Sequence, residues 1–158
     1  MLIAIAFLTS VAAVAPDTLP LTPAKVSDVV SAALNCFDAV TGKKIAISRL
    51  TDAGWVELLT AGGKPETPGG HVFRHTGFSG EIAVVGGVCS LVAPVTSFED
   101  VKATLVQLDS AIHPDKIEEN DRGILLKKGN RAIMFLVGNP TIQKPAAVRI
   151  DAEFSETQ

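Results

Sequence analysis

Few residues in this chain could do chemistry. There are three histidines, His71, His75 and His113, and two cysteines, Cys36 and Cys89. His71 and His75 are spaced i, i+4 in the stretch PGGHVFRHTGFSGE. That spacing lets two imidazoles share a metal on a helix, but Gly69-Gly70 before and Gly77 after argue against one. On a strand the rings share a face and sit about 13 Å apart, at about 3.3 Å per residue. A zinc–nitrogen bond is only about 2 Å long. The intervening Val72, Phe73 and Arg74 also lack the glutamate that a zinc-protease helix carries beside its first histidine. No metal is expected here. His71, Phe73 and His75 are read instead as one face of a short strand, a candidate contact surface.

The other candidates fit catalytic patterns poorly. Gly77-Phe78-Ser79-Gly80 resembles a nucleophile elbow only loosely: the second glycine comes one position early, and a strand rather than a helix follows. His113 precedes Pro114 at the expected end of a helix, where a cationic ring favours the dipole. It could pair with Asp115, but no nucleophile adjoins them. The glycine-rich stretch AGGKPETPGG lacks the order of a phosphate-binding loop, and Asp115 to Asp121 lacks calcium-loop spacing. No cofactor motif is recognised. Net charge is −3 and the basic residues are scattered, so the concentrated footprint that nucleic acid requires is missing. Aromatics make up 5% of the chain, which calls for an aliphatic core.

The elements around these residues follow from spacing. A helix is expected from an N-cap at Thr22 to about Val40, with Val26, Val29, Val30, Ala33, Cys36, Phe37 and Val40 on one buried stripe. A short helix from about Lys44 to Ala53 should stop at Gly54, followed by Trp55 as the hydrophobic residue after the cap. EIAVVGGVCSLVAP reads as one central strand, with Gly86-Gly87 as a bulge or close backbone contact. Ser97 and Asp100 form a capping box for a helix carrying Val101, Leu105, Leu108 and Ile112. HPDKIEENDRG reads as a charged loop. A hairpin turning at Lys128-Gly129-Asn130-Arg131 follows, and AVRIDAEF alternates as a strand. The expectation is an α+β fold: an antiparallel sheet of about five or six strands with two or three helices packed on one face. The helix-then-strands order occurs twice.

The N-terminus suggests export. MLIAIAFLTSVAAVAP has no charged side chain before Asp17 and ends in small residues, the shape of a secretory signal over residues 1–15. It lacks a basic flank, and it is too short to span a bilayer well. Residues 16–158 would then form one α+β domain. A Cys36–Cys89 bridge fits an oxidising, periplasmic or secreted location, and would stabilise by roughly 4 kcal/mol on the chain-entropy model. The functional expectation is a non-enzymatic domain that binds a protein or small-molecule partner through the sheet face and the 61–80 loop, with no nucleic-acid or stable membrane role. The alternative is a hydrolase that brings His71, His75 or His113 together in one site.

Overall fold

The computed structural model describes residues 22–60, 62–65, 69–136 and 146–156. The expected leader at 1–15 lies outside these, as do parts of the 61–70 loop and most of the turn before the last strand. Helix α1, Val26–Ala39, buries Val29, Val30, Ala33, Cys36 and Phe37, the stripe its spacing calls for. It starts later than Thr22. Lys25 is its N-cap, and the amide of Ala24 is drawn away to the carbonyl of Pro94. A two-residue pair, β1 (Val40–Thr41) with β2 (Lys44–Ile45), precedes α2, Ile47–Asp52.

Four antiparallel strands follow: β3 (Val56–Glu57), β4 (Gly70–Arg74), β5 (Glu81–Val85) and β6 (Val88–Val95). Helix α3, Phe98–Ile112, opens on the expected capping box between Ser97 and Asp100. The buried Thr104 hydroxyl bonds back to the Asp100 carbonyl at 2.8 Å, so no polar group is stranded there. Then come β7 (Lys116–Asn120), β8 (Gly123–Lys128), β9 (Arg131–Leu136) and β10 (Ala146–Phe154).

The class is α+β, but the sheet is larger than the five or six strands expected. It has eight strands in the order β3-β4-β5-β6-β10-β9-β8-β7, beside the separate β1-β2 pair. Two misreadings account for the difference. Gly86 and Gly87 have φ of 58° and 85°, and they form a hairpin turn that splits the apolar run into β5 and β6. A two-residue turn with both φ positive matches strand twist and favours glycine. The second is the charged stretch, which forms edge strand β7 paired with β8. Lys116 lies directly opposite Lys127, a repulsive arrangement. Glu118 bonds both ammonium groups, at 2.5 and 3.2 Å, and offsets their repulsion.

Each half of the domain is a helical segment followed by four strands, and the last strands of the two halves, β6 and β10, pair along the middle of the sheet. The register lines up Phe73, Ile82, Leu91, Ile150 and Phe135 across five strands, and all five are buried. Helices α1 and α3 pack together over this face. A second row on the same face runs His71, Val84, Cys89, Ala152, Ile133 and Leu126.

The Cys36–Cys89 disulfide ties α1 to β6, with Cα atoms 5.5 Å apart and both residues fully buried. The C-terminal carbonyls of α1 are capped by cations from elsewhere in the fold. Arg49 of α2 bonds the Asp38 carbonyl. Arg131 of β9 bonds the Phe37 carbonyl at 3.2 Å and lies over the Phe37 ring at 4.2 Å. Positive charge there complements the negative end of the helix dipole. Among the described residues, no helix is long and apolar enough to cross a membrane.

Candidate functional site

The candidate site is a cavity of about 280 Å³ at the end of the sheet where α1, the end of α2 and the β4–β5 turn meet. Helix α1 supplies Asp28, Ser31, Ala32 and Asn35. Their i, i+3, i+4, i+7 spacing makes one stripe along the helix, beside the stripe that faces the core. The turn supplies His75, Thr76, Gly77 and Phe78, and Trp55 lies between the two groups.

Trp55 owes its place to how α2 ends. Gly54 has φ of 89°, its amide bonds the Thr51 carbonyl, and the Trp55 amide bonds the Leu50 carbonyl, each at 3.0 Å. That is the Schellman pattern, which sets the residue after the glycine against the helix's last turn. Leu50 and Trp55 are accordingly both buried. Gly54 also makes room for a ring: a Cβ there would lie 3.0 Å from His75 Nε2.

The aromatic wall is tightly set. The Trp55 ring meets Phe78 edge-on at 5.6 Å and His75 at a tilt, 5.5 Å between centroids. Phe78 is held from below by Gly80, where a Cβ would fall 2.5 Å from the Phe78 ring and 2.6 Å from the Val92 carbonyl. His75 Nδ1 is 2.8 Å from the Thr76 carbonyl oxygen. A carbonyl can only accept, so Nδ1 carries a proton. Trp55 Nε1 is buried and has no acceptor among the described residues. Nε1 has essentially no solvent-accessible surface, so it lies behind the cavity wall and a molecule in the cavity does not touch it. Asp28 accepts from the Ser27 hydroxyl at 3.3 Å, and among the described residues it is the only carboxylate that lines the cavity.

The residues expected to form a contact face are dispersed. His71, Phe73 and His75 do share a face of β4 and its extension, but it is the helix-covered face. Phe73 is fully buried in the core, so it offers no surface. His71 Nδ1 is 2.6 Å from Glu57 Oε1 on β3, and its ring stacks on Phe73 at 6.3 Å. Of the three histidines only His75 lines the cavity. His113 is exposed at the C-cap of α3 with φ of 48°, and its carbonyl accepts from Lys128 Nζ at 2.8 Å. Ser79 lies between the turn and β5, so a strand does follow it. Among the described residues, no cluster of three His, Cys, Asp or Glu side chains could hold a metal.

Sequence reasoning missed Asp28, Ser31 and Asn35, and it placed Trp55 only as a helix-cap residue. The available signal was a polar i, i+3, i+7 stripe beside an apolar one, together with the chain's single tryptophan directly after a helix stop.

Fold and site together define a small disulfide-held α+β domain whose described residues form an aromatic-walled cavity of about 280 Å³. Comparison with protein-family models, curated proteins and solved structures finds no match for this chain.

Proposed function

We propose that this is an exported, non-enzymatic binding domain that holds a small ligand, or a side chain of a partner, in the cavity between α1, Trp55 and the β4–β5 turn. The observation that carries this reading is the cavity itself, in which the rings of Trp55, His75 and Phe78 line one space with a polar stripe of α1 that includes Asp28. Export is supported by the uncharged apolar N-terminal run and by the buried disulfide, since such bridges persist in oxidising compartments. A non-enzymatic role is supported by the dispersal of the histidines.

One observation favours a second reading. The His71–Glu57 pair has the geometry of an oriented general base. A hydrolase reading takes that pair as its base.

Two measurements test the proposal. Intact-mass analysis of the protein from a native-like exporting host should show loss of 12 to 15 N-terminal residues; a retained N-terminus removes export. A fragment screen monitored by the Trp55 indole N–H resonance should give hits that shift it. Hits confined to residues around His71 and Glu57 would favour the hydrolase.

A further inference from the structure

Among the described residues lining the cavity beside Trp55, Asp28 is the only carboxylate, and there is no lysine or arginine. Among the described residues, Asp28 has no basic side chain within ion-pair distance. Three rings, Trp55, His75 and Phe78, wall the same space. An anion would meet Asp28 and find no cation to offset it. A purely apolar guest would strip water from Asp28. A cation is drawn both by the carboxylate and by the negative faces of the aromatic rings.

We infer that the cavity binds a small organic cation, a substituted ammonium group. The ammonium sits against Asp28 and the rings. At about 280 Å³ the cavity is at the small end for ligand sites. It fits a head group or the end of a lysine side chain and excludes nucleotides and larger cofactors. This inference rests on the cavity being the binding site.

The chain supplies its own reporter. Trp55 is the only tryptophan and there is no tyrosine, so intrinsic emission reports this cavity alone. The oxidised full-length protein is titrated with choline, with N-acetyl-lysine methylamide, and with 3,3-dimethyl-1-butanol. The last has the shape and hydroxyl of choline but no charge. A saturable emission change is expected with at least one of the two cations, and roughly tenfold weaker binding of the uncharged isostere. Asp28→Asn should weaken the cation by roughly tenfold and leave the isostere unchanged. The exposed position of Asp28 makes that variant safe for folding, which a melting curve verifies. Tighter binding of choline identifies a free small cation; tighter binding of the lysine amide identifies a partner's side chain. Equal affinity for cation and isostere, or indifference to Asp28→Asn, overturns the cation while leaving the cavity as a binding site. If no cation, neutral compound or anion in the fragment screen moves Trp55, both the cation and the binding-site reading fall.

Discussion

The amide of Trp55 bonds the carbonyl of Leu50 at 3.0 Å, so the only indole in the chain is positioned by the end of a six-residue helix. The cavity wall therefore depends on a helix stop as much as on the sheet.

Gly54→Ala tests that dependence. Alanine at φ of 89° is strained, and its Cβ would press on His75 Nε2 at 3.0 Å. A loss of about 1–3 kcal/mol in denaturant unfolding is expected, together with a red-shifted emission maximum as Trp55 leaves its buried position. Wild-type stability with unchanged emission would show that the Schellman ending does not set the indole.

Removing the bridge should be costly. The double variant Cys36→Ala with Cys89→Ala releases a loop closed across 53 residues and opens two small voids in the core. A loss of about 2–5 kcal/mol is expected from urea unfolding. Thiol titration of the denatured, unreduced wild type should find no free thiol; two would contradict the bridge.

Ser97→Ala removes the acceptor for the Asp100 amide and half of the capping box at the start of α3. The expected cost is about 1 kcal/mol, read as a lower melting temperature. Restoring a side-chain acceptor with Ser97→Asp should recover most of it.

Acid should loosen the β8–β9 turn first. Asp115 accepts from the Gly129 amide at 2.8 Å and from Lys128 Nζ at 3.1 Å. The Gly129 amide foremost, and then Lys128, hold the Asp115 carboxyl below its ordinary 3.8. A carboxylate whose folded value is lowered stabilises fully above its unfolded value, and that contribution disappears as pH falls through the folded one. Asp115→Asn should therefore melt lower than wild type at neutral pH, and the two curves should converge below pH 3.8. A constant gap across that range would rule out this linkage.

Periodicity made the helices legible and left the sheet only partly so. Each of α1 and α3 buries a single stripe, and the buried residues of Val26–Ala39 fall where a helical period puts them. Edge strand β7 gave no such signal: Lys116, Glu118 and Asn120 alternate with Ile117 and Glu119, and neither face is buried. Gly86-Gly87 was ambiguous because apolar strands flank it on both sides, and a bulge and a turn use the same residues. The cavity was the least legible feature. Its walls come from a helix face, a helix stop and a turn, which are distant in sequence and meet only once α1 has docked on β6.

Strand β10 lies between β6 and β9, so the latest strand in the sequence fills the middle of the sheet. Without residues 146–154, β3–β6 and β7–β9 would be two separate sheets, each with an unpaired edge at β6 or β9. The disulfide joins residues 36 and 89, both in the first half, so it does not cross the seam that β10 closes. The continuity of the sheet thus rests on the backbone hydrogen bonds of one strand.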